Sequence, residues 1–296
     1  MSTNSNIANE IDAIIARAME EYRNAKGEDA FAEVETPTEE PVIIEEPEHQ
    51  EIPVNSQSIL VSEETSRFSG AVWFDNIQTK EVLLAGVGGI GSYVTFLLSR
   101  LHPRTIYLYD DDSVEAANMS GQLYSTDDVG SPKVNAMARM AEMYSGYYDI
   151  ITYNERFTED STATKVMICG FDNMIARRDF FNAWKGLVLS LPESERAECL
   201  FIDGRLAAES FQVFCIRGDD TFSMNKYDDK FLFRDSEAEE TLCSYKQTSF
   251  MANMIASVMV NLFVNFCANQ CDPLVPRDLP FFTEYSADTM FFKVVS

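Results

Sequence analysis

The chain has 296 residues, 46% of them hydrophobic and 12% aromatic, enough for one large domain with a sizeable core and an appendage. A formal net charge of −25 excludes a broad phosphate-backbone interface, so nucleic acid is not an expected partner, although a nucleotide can still be held locally. Six cysteines (Cys169, Cys199, Cys215, Cys243, Cys267, Cys271) lack compact disulfide spacing and fit free thiols in a reducing cytoplasm.

No apolar run of the signal-peptide kind stands at the N-terminus. Ile7, Ile11, Ile14, Ile15 and Met19 share the spacing of one apolar helix face. The acidic, proline-punctuated stretch that follows reads as a charge-extended tether, so residues 1–58 form an N-terminal amphipathic helix and flexible tether and 59–296 a globular domain. The helix is either a solvated tail or a docking peptide for a partner.

Within the globular part, "EVLLAGV" is a short, wholly apolar strand of the kind found in a parallel sheet covered on both faces. A glycine loop, the helix "SYVTFLLSRL" and the strand "TIYLYD" complete a βαβ unit. "KVMICGFD", "CLFIDGR" and "SFQVFCIRG" read as later strands, with the helices "PKVNAMARMAEMY" and "MIARRDFFNAWKGL" among them. The alternation predicts an α/β fold with a doubly wound, mostly parallel sheet and a Rossmann-like nucleotide-binding half.

From Gln247 to Cys271 no residue is charged, and the stretch approaches membrane-spanning length. Asn253, Ser257, Asn261, Asn265 and Asn269 recur every four residues, a polar stripe too costly to expose to lipid. A core helix packed on both sides, its amides satisfied by neighbours, is the expectation. No membrane association follows.

Gly86, Gly88, Gly89 and Gly91 join a strand to a helix, where tight turning and free N–H groups suit phosphate oxygens. Asp110 ends the next strand 19 residues after Gly91, as a ribose-binding carboxylate commonly does. These two features alone leave a dinucleotide and ATP equally open.

Further motifs follow in fixed order. "YDDDSVEAANMSGQ" carries Asp110, Asp112, Asn118 and Gln122; "GSPK" carries Lys133; "FDNMIARRD" carries Asp172. In these motifs the chain resembles the ThiF/MoeB superfamily, related to the ubiquitin-activating enzymes, from about Arg67 to Ala268. The subpattern "SRFSGAVWF … NMSGQLYS … SYKQTSFMAN" is similar to divergent members from phage and plasmid gene clusters, which places the chain in a cytoplasm, the host's if it is phage-encoded.

The resemblance implies ATP with Mg²⁺, a homodimer, and adenylation of the C-terminal carboxylate of a small ubiquitin-like protein or peptide. It assigns ribose to Asp110, phosphates to Asn118 and the glycine loop, triphosphate charge to Lys133, and Mg²⁺ to Asp172, with Asp112 and Gln122 also lining the nucleotide site. Taken singly, each of these also fits a solvated strand end or a surface lysine.

Three departures bear on chemistry. Gly121 and Gly70 stand where the superfamily has arginines that serve the reaction centre. Arg205, just past a strand's carboxyl end, is the candidate substitute cation. Paired CxxC motifs are absent, so no structural zinc is expected. Cys243 falls near the superfamily's acyl-accepting cysteine, although Glu239 and Glu240 nearby disfavour its thiolate. Two functions therefore remain: an adenylyltransferase using Lys133, Asp172, Arg205 and Cys243, or a nucleotide-binding scaffold that has lost catalysis and recruits a partner through its N-terminal segment.

Overall fold

A computed structural model describes residues 63–68, 70–232 and 247–295. The N-terminal helix and tether and Cys243 lie outside these residues, and the domain boundary at 58/59 rests on the sequence alone.

A short helix, α1 (Val72–Ile77), precedes β1 (Glu81–Ala85), α2 (Gly89–Ser99), β2 (Thr105–Tyr109), α3 (Lys133–Ser145), β3 (Ile150–Tyr153) and β4 (Val166–Cys169). Then come α4 (Met174–Ser190), the one-turn α5 (Glu193–Arg196), β5 (Leu200–Ala207), β6 (Ser210–Arg217), α6 (Thr221–Phe231), α7 (Ser249–Asn269), β7 (Phe282–Ser286) and β8 (Phe291–Val295). The eight strands form one sheet in the order β3-β2-β1-β4-β5-β6-β7-β8. Strands β1 to β5 pair in parallel, while β5–β6, β6–β7 and β7–β8 pair antiparallel. The fold is α/β with a mixed sheet and a parallel core, as the sequence led one to expect.

Period-two alternation sorts the strand side chains onto two faces. Val82, Leu84, Val166, Ile168, Leu200 and Ile202 pack with α2, α3 and α7, whereas Leu83, Ala85, Met167, Cys169 and Phe201 pack with α4 and α6. Both layers are closely covered: Trp184, Phe180, Phe181 and Phe201 are fully buried on one side, and Phe263 and Ile255 on the other. Burial of each such side chain contributes about 1.5–3 kcal/mol.

The elements end where their sequences dictate. Helix α3 stops at Gly146, whose φ of 59° is a left-handed cap. Helix α4 starts at Asn173, whose side chain accepts from the Ala176 amide at 2.9 Å.

Helix α7 is the one described helix long and apolar enough to cross a membrane, yet its apolar residues Met251, Ile255, Met259, Phe263 and Phe266 are buried against α2, β5 and β6. It is a core helix. The polar stripe fares differently from expectation. Asn265 and Asn269 donate to the Asp278 and Arg277 carbonyls, but Asn253, Ser257 and Asn261 are exposed, so the helix is covered on one side only. Strands β3, β7 and β8 and helices α1, α5 and α6 have no counterpart in the sequence reading; β8 is exposed from Phe291 to Val294 and so lacks the burial pattern that marks a strand.

Candidate active site

Strand order reverses at β1: β2 and β3 lie to one side, β4 and β5 to the other. The carboxyl ends of β1, β2 and β4 are level, with Ala85 opposite both Tyr109 and Cys169. A crevice outside such a switch point is where open α/β sheets bind ligands. Gly86 turns the chain out of β1 at φ +83°, and a Cβ on it would lie 2.7 Å from the Gly170 carbonyl carbon. Only glycine at both positions lets the two strand ends come this close.

Outside these ends lies a cavity of ≈ 770 Å³ lined by Gly86, Gly88, Gly89, Asp110, Asp112, Gln122, Lys133 and Asp172. Eight residues chosen from sequence thus meet in one place. Asp110 accepts from the Val87 amide at 2.7 Å and the Asp112 amide at 2.9 Å. Burial pushes its carboxyl above the usual range, while Lys133 and those two amides pull the other way. Lys133 is the first residue of α3, after Pro132, and its buried stem carries Nζ to Asp112 Oδ2 at 2.7 Å. Asp172 is exposed at the rim, directly before the Asn173 cap, and among the described residues accepts from Asn173 Nδ2 at 3.3 Å.

Three other candidates, Gly91, Asn118 and Arg205, do not line the cavity. Gly91 lies inside α2, packed against the Gly86 carbonyl, and serves the loop's shape rather than the ligand. Asn118 is drawn into a capping box: its Oδ1 accepts from the Glu115 amide at 2.8 Å, so its carbonyl oxygen closes its own turn instead of facing the crevice. Arg205 does not follow a strand end. Antiparallel pairing with Gln212 of β6 carries β5 on to Ala207. Its guanidinium bonds Asp203 Oδ2 at 2.8 Å and the Phe231 carbonyl at 2.8 Å and lies 4.6 Å over the Phe214 ring, outside the cavity lining. Cys243 falls outside the described residues.

Among the lining residues that sequence reading does not single out, two can contact a phosphate. Arg156, in the loop after β3, is the one arginine among the described lining residues, and its Nε is 2.8 Å from Asp111 Oδ2. Gln247, just before α7, also lines the cavity. No local spacing marks either one, because both reach the cavity from loops.

The two missing arginines differ in cause. Gly70 has no heavy atom within 4 Å of a Cβ position, whereas a Cβ on Gly121 would lie 2.8 Å from the Gln247 carbonyl oxygen. The obstacle at Gly121 is this contact and not a positive φ, since its φ is −132°.

Beneath the cavity, Arg177 binds Asp203 and donates to the Gly204 carbonyl at 3.2 Å and to the Phe171 carbonyl at 2.5 Å, which anchors the turn that presents Asp172. Burial pushes the Cys199 thiol up to about 11 and the Cys215 and Cys267 thiols up to about 12, so these three are not nucleophiles at neutral pH. His102 bonds the Ser145 carbonyl at 2.8 Å and does not line the cavity.

A larger concavity, ≈ 980 Å³, is floored by Tyr107, Tyr109 and Tyr153. It has no glycine loop, and its cations are engaged: Lys165 with Glu195 and Glu198, Arg104 with Glu81, and Lys80 with Gln270. It offers little to a phosphate.

Comparison with known proteins places this geometry in a family. Residues 62–295 match the model of the ThiF family. The chain is 29% identical over 142 residues to the ubiquitin-like modifier-activating enzyme 5 of Aedes aegypti, covering 42% of this chain and 36% of that enzyme. It is 35% identical over 85 residues to the same enzyme of Drosophila ananassae, covering 29% and 22%. The chain thus spans about a third or less of these relatives. Among solved structures, PaaA superposes with a TM-score of 0.61 at 16% identity, covering 83% of this chain and 77% of that one. MccB of E. coli, solved with ATP, gives 0.57 at 16% identity, covering 75% and 65%.

Proposed function

The chain belongs to the ThiF family, and we propose that it is an ATP-dependent adenylyltransferase acting on the C-terminal carboxylate of a small protein or peptide. One observation carries the reading: the glycine loop, Asp110, Lys133 and Asp172, remote from one another in sequence, line a single cavity at the switch point. A structural relative solved with ATP supports it.

The cavity's charge specifies how the nucleotide must arrive. Seven carboxylates (Asp110, Asp111, Asp112, Glu155, Glu159, Asp172 and Asp179) face two cations, Lys133 and Arg156. A bare triphosphate is repelled by such a lining, so a divalent cation has to accompany it. The donor set fits Mg²⁺, a hard cation served by carboxylates. Asp111 is paired with Arg156 and Asp112 with Lys133, while Asp110 accepts two amides; of the remaining Glu155, Glu159, Asp172 and Asp179 we assign the ion to Asp172, the position that the family resemblance gives it. When bound, Mg²⁺ supplies neutralisation of phosphate charge.

In the proposed reaction a substrate carboxylate oxygen attacks the α-phosphorus. The bond from that phosphorus to the bridging oxygen breaks, pyrophosphate leaves, and an acyl-adenylate remains. Asp110 holds the ribose, the first turn of α2 receives phosphate oxygens, and Lys133 neutralises charge that grows on the leaving group. Arg156, and not Arg205, is the arginine we assign to the reaction centre. Such a step is mostly positioning and charge neutralisation.

ATP–pyrophosphate exchange with carboxyl-terminal peptides tests the proposal. Exchange lost in Asp172→Ala is the expected outcome; none in the parent with any peptide, while Mg·ATP still binds, would favour the scaffold reading instead. That second reading draws on one feature, the steric exclusion of an arginine at Gly121. A homodimer, and recruitment of a partner through residues 1–58, remain parts of the proposal. The apolar residues of α7 are used inside the fold and supply no argument for the dimer, which now rests on family membership.

A further inference from the structure

We infer that Gln247 is a positioning residue for the nucleotide's phosphates, an inference that rests on the nucleotide reading above. Two glycines distant in sequence make room for it. At Gly121 the missing side chain admits the Gln247 main chain, whose carbonyl oxygen and Cβ lie 2.8 and 3.4 Å from where a Cβ would stand. At Gly89, the first residue of α2, a Cβ would coincide with the Gln247 carboxamide oxygen. The main chain is therefore wedged in place, while the tip rests in the cavity on a side chain with three rotatable bonds.

The tip sits against the first turn of an 11-residue helix that has no side-chain cap. Free N–H groups at such a turn attract acceptor oxygens. In the structure the neighbouring acceptor is the Gln247 carboxamide oxygen; with nucleotide present it is a phosphate oxygen. A half-turn about the terminal torsion exchanges the oxygen of Gln247 for its Nε2, which then donates to that phosphate.

A second carboxamide lies beside the same loop. Gln122 Nε2 lies 3.8 Å from a Cβ position on Gly88, and Gln122 Oε1 is buried with no hydrogen-bond partner among the described residues. Two neutral carboxamides thus flank the glycine loop where the superfamily resemblance leads one to expect a cation at Gly121. In a lining of seven carboxylates a neutral donor binds phosphate without new repulsion, and a carboxylate at 247 does not.

Titration of Mg·ATP and of adenosine into the parent, Gln247→Ala and Gln247→Glu tests this, with thermal melting as the control for folding. The alanine variant is expected to bind Mg·ATP about 3- to 10-fold more weakly, the size of one lost neutral hydrogen bond. Glutamate should weaken it further, by at least about 10-fold, because it adds repulsion at the phosphates. Adenosine, which has no phosphate, should bind all three proteins within about twofold.

Unchanged Mg·ATP affinity in both variants would overturn the inference. So would tighter binding by Gln247→Ala, which would make the side chain an obstruction, or a parallel loss for adenosine, which would make its role purely structural. Failure of the parent to bind Mg·ATP would remove the nucleotide reading and this inference together; binding by the parent with unaltered variants removes this inference alone.

Discussion

Two cation–carboxylate centres lie on either side of the Phe171 turn, and they are built differently. Below it, Asp203 is fully buried and receives Arg177, Arg205 and the Tyr227 hydroxyl, the last at 2.8 Å. Above it, Lys133 is buried but its partner Asp112 keeps 66% of its side chain exposed. The closed centre's carboxylate is fully buried and does not line the cavity. The open one presents a charge to solvent and can exchange its partner for a ligand. A charged residue near a strand end is therefore not marked as part of a site by its position alone; only one whose partner is exposed can release that partner for a ligand.

Breaking the closed centre should have the largest effect. Asp203→Ala leaves two arginines buried without their carboxylate, and loss of one partner from a buried pair costs about 3–5 kcal/mol. For a domain of this size that corresponds to a fall in Tm of roughly 6–20 °C. Melting within 2 °C of the parent would show that the cluster is not what holds β5, α4 and α6 together.

Next is a contrast between arginines. Arg156→Ala should lower exchange by about 10²-fold, the usual cost of one electrostatic donor at a reaction centre, with Tm unchanged because the side chain is 81% exposed. Arg205→Ala should do the reverse: a lower Tm, with Mg·ATP affinity of the folded fraction kept within a few fold. Full exchange in Arg156→Ala would return the search for the missing cation to Arg205.

Why was Arg205 misread while Lys133 was not? The sequence places Arg205 two residues after Asp203, and in a strand that spacing puts both on one face, where they pair. That pairing is legible in the sequence, whereas a site role for Arg205 requires β5 to end before it. Its true end is set by pairing with β6, a long-range contact that no local pattern reports. Asp110, Lys133 and Asp172 were readable because each is fixed by a strand end or a helix start close by in sequence. Arg156 and Gln247 come from loops whose paths depend on the packed sheet, and β8 shows no buried alternation at all.

At the open centre, Lys133→Ala and Asp172→Ala should each weaken Mg·ATP by about tenfold, the loss of one charge-assisted contact. Asp172→Ala should melt like the parent, since Asp172 is exposed at the rim. Omitting Mg²⁺ should erase the difference between Asp172→Ala and the parent while leaving the Lys133→Ala defect. Equal Mg·ATP affinity for both variants and the parent would remove these residues from the site.

The smallest effect belongs to the glycines, and it asks whether a lost cation can be restored. Gly70 has open space around its Cβ position, so Gly70→Arg adds a solvated side chain and should shift Tm by no more than about 1–2 °C, as surface substitutions do. Gly121→Arg is not equivalent. Its Cβ meets the Gln247 main chain at 2.8 Å, and that is backbone, which cannot swing aside as a side-chain tip can. Either the turn at Ala116–Ser120 or the start of α7 must shift, at the 1–3 kcal/mol typical of overpacking. Gly121→Ala carries the same Cβ without the charge and should cost nearly as much, which separates steric from electrostatic causes. If Gly121→Ala and Gly121→Arg both melt like the parent, Gln247 is not wedged there, and the exclusion of arginine from that position needs another explanation.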